Sequence, residues 1–185
     1  DRFIQRAAAH FSNTFNYTRI VAIVDSLSSK ISLEMPRHID RWGAEGGISS
    51  MNAWENDLDD IKQFAQNRNA SLFSQFISEL NLDGTVQIAV VIDPPGSGRV
   101  LINDVPVIHP DGEGVYFKNK PISLLAQPKP GYQFLMWDGV SDSMQINYNC
   151  LNDSTFTAVF QISNEEILPE VITENTLLTN EQPYA

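Results

Sequence analysis

The feature that most constrains this chain is a change of hydrophobic period at Asn81-Leu82-Asp83-Gly84. Upstream, apolar residues recur every three or four positions, the spacing of an amphipathic helix. Downstream they recur every second position in short runs separated by Gly, Pro, Asn and Asp, the pattern of half-buried strands. One period cannot serve as the other, so the two halves must be built differently. The pattern predicts an α+β chain. Residues 1–82 form a helical segment of three to four helices, and residues 83–162 a small antiparallel β-domain. Residues 163–185 form an acidic extended tail or linker to a further domain.

Phe3, Ile4, Ala7, Ala8 and Phe11 stripe a first helix, and Ser12-Asn13-Thr14 follow with capping side chains. Asn16 or Thr18 starts the next. Ile20, Val24, Leu27, Ile31, Met35, Ile39 and Trp42 then form the clearest helical stripe, broken or kinked near Met35 by Pro36. The two pieces are expected to share one buried stripe. Gly43, Gly46 and Gly47 end it. A third helix begins near Ser49 or Ser50, with Met51, Trp54, Leu58, Ile61 and Ala65 on its apolar side. A shorter fourth helix, residues 70–80, carries Leu72, Phe73, Phe76, Ile77 and Leu80.

In the β half, strands are expected over residues 85–92, 99–102, 105–108, 115–117, 122–126, 144–148 and 155–161, as a meander, sandwich or grasp-like sheet. The most distinctive string is Gly131-Tyr132-Gln133-Phe134-Leu135-Met136-Trp137-Asp138-Gly139. Strict alternation puts Tyr132, Phe134 and Met136 on one face and Gln133, Leu135 and Trp137 on the other. It reads as the central strand, with Trp137 packed against the rest of the sheet.

Charge excludes some functions. The chain carries 12 Lys and Arg against 23 Asp and Glu, a formal net charge of -11. Residues 163–185 contain five Glu and no Lys or Arg. Nucleic-acid binding needs clustered cations to neutralise phosphates, and anionic membrane surfaces need the same. Neither partner fits. No apolar run approaches the ~20 residues of a membrane-spanning helix.

Each residue type capable of chemistry has a plainer reading beside it. His10, His38 and His109 fall one to a segment; His38 sits at helical spacing from Glu34 and Arg41, and His10 from Arg6, as surface partners. His109, before Pro110-Asp111, is a loop metal-ligand candidate. Asp57, Asp59 and Asp60 flank the helical residues Leu58 and Ile61, so they form a solvated face rather than a calcium loop. Asp138, Asp142 and Asp153 lie in turns and are the better calcium candidates. Gly96-Ser97-Gly98 lacks the continuation of a phosphate-binding loop and reads as a hairpin turn. Cys150 is the only cysteine and excludes an internal disulfide. Tyr116, Phe117, Tyr132, Trp137 and Tyr148 form either a glycan- or partner-binding platform or the β core; a thin sheet favours core. The sequons at Asn16, Asn69 and Asn152 are read as coincidental. No catalytic, cofactor-binding or metal-binding residue is assigned.

Two resemblances add to this reading. His10-Phe11, Thr14-Phe15-Asn16, Arg19-Ile20, Glu34-Met35, His38-Ile39, Arg41-Trp42-Gly43, Trp54 and Phe64-Ala65 with Arg68 resemble the C-terminal helices of the spore-coat CotH-type kinase family. Residues 84–161, through Gly131-Tyr132, Phe134, Trp137, Gly139 and Thr157-Ala158-Val159-Phe160, are similar to a divergent internalin B-type B repeat of bacterial surface proteins. The resemblances imply the C-terminal part of a larger secreted or cell-surface bacterial protein. They imply an upstream kinase-like domain that holds the ATP- and divalent-metal-binding residues, and a further C-terminal domain as neighbour. The chain itself is then a non-catalytic accessory or interaction region, with a cell-surface protein or glycan as a possible outside partner. The alternatives are helices that complete the kinase-like active domain, or a glycan-binding module.

Overall fold

A computed structural model describes residues 1–108 and 112–163. His109, Pro110, Asp111 and the acidic tail therefore lie outside the described residues. Four α-helices precede eight strands: α1 Arg2–Ser12, α2 Tyr17–Ile31, α3 Met35–Trp42 and α4 Met51–Leu80, then β1 Thr85–Asp93, β2 Gly98–Ile102, β3 Val105–Pro106, β4 Glu113–Phe117, β5 Pro121–Pro128, β6 Tyr132–Trp137, β7 Gln145–Asn149 and β8 Ser154–Ile162. The α+β arrangement follows the change of period.

The helix boundaries have local causes. The Asn16 side chain accepts the Thr18 N–H at 2.9 Å and caps α2. The Ser50 hydroxyl accepts the Ala53 N–H at 3.1 Å and caps α4. Pro36 stands in the first turn of α3, where its missing N–H costs nothing, so the stripe breaks between Ile31 and Met35. Asn81, at φ 50, ends α4 in the left-handed conformation.

Two expectations for the helices need correction. The third and fourth helices are one continuous α4, because residues 66–70 contain no Gly or Pro and include good helix formers. The polar stretch that suggests a break has another use. The Asn69 amide donates to the Phe11 and Phe15 carbonyls at 2.8 and 3.1 Å, covering the end of α1. The expected shared buried stripe is also not realised. Helix α2 contains no buried residue, and of the α2–α3 stripe only Met35 is buried.

The strands form two four-stranded sheets, ordered β4-β1-β8-β6 and β3-β2-β5-β7. All pairs are antiparallel except β1 with β8, which run parallel from Ile88 opposite Ser154 to Asp93 opposite Val159. Alternate residues of both sheets enter one core: Val86, Ile88 and Val90 of β1, Ile122, Leu124 and Ala126 of β5, and Phe156, Ala158 and Phe160 of β8. The chain crosses from the first sheet to the second through the turn at residues 94–97, where the Ser97 hydroxyl donates to the Pro94 carbonyl at 2.6 Å. Gly96-Ser97-Gly98 therefore lies in a turn as expected, but not in a hairpin, because β1 and β2 belong to different sheets. Gly98 is required by packing, since a Cβ there would lie 2.5 Å from Phe160 Cζ.

Strand β6 departs from expectation twice. It is an edge strand, not the central one. A bulge between Phe134 and Met136 pairs Met136 with Val159 and Trp137 with Ala158. The extra residue reverses the parity after Phe134, so Trp137 turns inward with Phe134 instead of outward with Leu135. Trp137 is fully buried, with ring centroids 5.9 Å from Phe134 and 6.4 Å from Phe156. Its packing role stands; the alternation that first located it does not.

The helices and the sheets meet through α1 and the C-terminal half of α4. Ala8 and Ala9 are fully buried in the β core. Phe117 stacks on Phe76 at 5.7 Å and meets Phe73 at 5.3 Å, and both of those rings meet Phe11 edge-on. Small residues on α1 allow the helix to lie close to β4, and the phenylalanines fill the space behind it.

Candidate functional site

The residues singled out by type do not converge. His10 Nδ1 lies 3.0 Å from the Thr14 hydroxyl rather than on Arg6. Glu34 pairs with Arg37 at 3.4 Å, while His38 is exposed on α3. Asp57, Asp59 and Asp60 are exposed on α4. Asp138 and Asp142 are exposed, and the Asp153 carboxylate accepts the Gln87 N–H at 2.8 Å. Among the described residues no group of three or more His, Cys, Asp or Glu is placed to hold a metal ion. No described helix is long and apolar enough to cross a membrane.

Cys150 is fully buried, and the Gln5 amide donates to its Sγ at 3.7 Å. Burial pushes its thiol up to about 12, the opposite of an activated thiolate. The five aromatic candidates are core rings. Tyr116, Phe117 and Trp137 are fully buried, and Tyr132 and Tyr148 are half-buried against the same core.

What the structure does present is an apolar face on the helices. Ile23, Leu27 and Ile31 stand at intervals of four on α2 and are 45%, 58% and 49% exposed; Ile61 and Phe64 on α4 are 49% and 63% exposed. The Lys62 ammonium pairs with the Asp25 carboxylate at 2.7 Å, and the Asn69 amide reaches the Phe15 carbonyl just before α2, so α2 and α4 run antiparallel. That hydrogen bond to Asp25 raises the pKa of Lys62. At ~100° per residue, Asp25 and Lys62 fall on one side of the helix pair. Ile23, Leu27, Ile61 and Phe64 then fall on the other. Ile31 lies nearer the seam. By this geometry the five fall along one face of the helix pair, beside Lys30, Asp57 and Arg68.

Scattered exposed apolar side chains are ordinary, whereas a contiguous set of large ones marks a contact surface. The periodicity located Leu27, Ile31 and Ile61 but assigned them to the interior, and it did not include Ile23 or Phe64. Of the α2–α3 stripe, Leu27 and Ile31 are instead left open because α4 covers the other side of α2. Trp42, also from that stripe, is 45% exposed, with the Arg41 guanidinium 4.9 Å from its ring centroid.

Sequence reasoning missed a set of buried polar residues on α1. Gln5, Ser12 and Asn13 are all buried. The Gln5 amide donates to the Phe117 and Lys120 carbonyls at 2.9 and 2.8 Å, and its Oε1 accepts the Phe117 N–H at 3.0 Å. The Ser12 hydroxyl donates to the Val115 carbonyl at 3.0 Å and accepts the Val115 N–H at 2.8 Å. Asn13 Oδ1 accepts the Ile108 N–H at 2.9 Å. The one available cue was position: Gln5 lies on the side of α1 carrying Ala8 and Ala9.

Residues 1–72 match the family model described as CotH kinase protein. No curated protein and no solved structure matches the chain. The matched stretch contains the whole apolar face. It ends inside α4, just before Phe73 and Phe76, where that helix leaves α2 and joins the β core.

Proposed function

We propose that this chain is a non-catalytic accessory and interaction region of a secreted or cell-surface CotH-like protein. Its helices seat against the kinase-like part of that protein through the face formed by Ile23, Leu27, Ile31, Ile61 and Phe64. The observation that carries this reading is the position of that exposed face wholly within the CotH-matched residues. Covering it removes large apolar side chains from water, worth ~25 cal/mol per Å². The β-domain then stands beside the seated helices as a spacer or second contact surface. Its resemblance to surface-protein repeats supports the extracellular placement.

The test is a titration of the purified chain into the separately purified kinase-like domain of a CotH-like protein, read by calorimetry. Binding is expected for the native chain and not for the Leu27→Lys, Phe64→Lys double variant. Absence of binding by the native chain sinks the seating model, and ATP turnover by the isolated chain sinks the non-catalytic part. The same variant separates seating from completion of an active domain. If the helices complete that domain, phosphotransfer by the full protein is lost along with binding. If they only seat, binding is lost and phosphotransfer remains.

A further inference from the structure

Among the described residues, strand β4 is an edge of its sheet, with β1 on its inner side only. An edge strand offers a row of N–H and C=O groups at every second residue, which a strand from another molecule can take. In β4 those residues are Glu113, Val115 and Phe117, and both groups of Val115 and of Phe117 are already bonded to side chains of α1. Ser12 takes the Val115 N–H and carbonyl, and Gln5 takes the Phe117 N–H and carbonyl. Reciprocal pairs of this kind are what an antiparallel neighbour would make with alternate residues. Ser12 and Gln5 are two turns apart on α1, which sets them ~10 Å apart along the helix, against ~7 Å between alternate strand residues. The long Gln5 side chain reaches back over the difference and continues to Lys120. Gly114 permits the approach, because a Cβ there would lie 3.1 Å from Ser12 Cβ and 2.9 Å from Tyr116 Cε2.

We propose that α1 is a surrogate edge strand, and that Gln5 and Ser12 keep β4 from pairing with the same edge of a second copy of this chain. The β-domain is thereby kept single by a helix that belongs to the CotH-matched segment. A copy with an open edge has a two-fold route to association, β4 against β4, in which the same residues serve on both sides.

The experiment uses the whole chain and the Gln5→Ala, Ser12→Ala double variant, with amide hydrogen exchange and sedimentation velocity over a range of concentrations. In the dilute variant the Val115 and Phe117 amides are expected to exchange roughly tenfold faster or more, while those of the β1–β8 ladder keep their protection. At high concentration the variant is expected to dimerise and both amides to regain protection. Unchanged protection of the two amides in the dilute variant overturns the proposal, as does their loss with no dimer at any concentration. Ser12→Ala alone leaves every Gln5 bond in place and is used if the double variant does not fold. In that variant only Val115 should lose protection. If Val115 and Phe117 loosen together, α1 holds the sheet by packing and not by replacing a strand.

Discussion

Replacing Gly98 with alanine tests the spacing between the two sheets. The added Cβ would lie 2.5 Å from Phe160 Cζ and 2.8 Å from the Gln127 carbonyl oxygen. Non-bonded carbons rest at about 3.5–4.0 Å, so the ring must retreat by about 1 Å. It has little room, since Phe160 is buried and meets Phe134 edge-on at 5.7 Å. The Gln127 carbonyl belongs to β5, paired with β2 beside this point, and moving it disturbs the ladder. Forcing an extra methyl into a packed core costs ~1–3 kcal/mol, and the stiffer unfolded chain returns ~0.4–1 kcal/mol. The net loss is therefore about 1–2 kcal/mol, a fall in Tm of about 2–8 °C for a chain of this length. Calorimetry and urea unfolding measure it. Gly98→Ala combined with Phe160→Leu should recover part of the loss, because the shorter side chain vacates the ring position. An unchanged or raised Tm for Gly98→Ala alone would refute the reasoning.

Three further outcomes are expected. Trp137→Ala removes the largest fully buried side chain and should cost ~3–5 kcal/mol by denaturant unfolding; a loss below 1 kcal/mol would mean the bulge does not carry Trp137 inward. Cys150 should react with a thiol reagent at pH 8 only as fast as the chain opens. Its pKa is about 12 folded against 9.0 ordinarily, so the folded state keeps a proton that the unfolded state releases; stability should fall as pH rises above 9, by up to ~1.4 kcal/mol per unit from this group. Tyr116, raised by burial, acts in the same direction at higher pH. Leu27→Lys and Phe64→Lys lie on exposed positions and should change the stability of the chain by ~0.5 kcal/mol or less, so lost binding in those variants reports the surface and not unfolding.

Periodicity and breakers placed the architecture. Pro36 divided α2 from α3, Asn81 closed α4, and alternation found the strands within a residue or two. Three kinds of feature were not legible. Periodicity reports that one side of a helix is apolar, not that something covers it, and so Leu27 and Ile31 looked like core. A bulge changes parity without changing composition, and so Trp137 was placed on the face of Gln133 and Leu135 instead of that of Phe134. Polar residues on a helix look like surface until their partners are known. Gln5 and Ser12 answer to backbone groups of Phe117 and Val115 more than a hundred positions away, and no local pattern encodes that. The candidate face shares the first difficulty. Its residues were in plain view, but their exposure belongs to the arrangement of α2 against α4.

The parallel pairing of β1 with β8 has a mechanical consequence. Because the first and last strands of the β-domain point the same way, the chain enters the ladder at the Thr85 end and leaves it at the Ile162 end. Tension between Leu82 and Ser163 pulls the two strands in opposite directions along their shared axis. The rungs from Ile88–Ser154 to Asp93–Val159 are then strained together in shear, and none can be peeled from its neighbour first. A hairpin gripped at its two free ends would instead open rung by rung. In the direction of its own backbone, this small domain behaves as a strut.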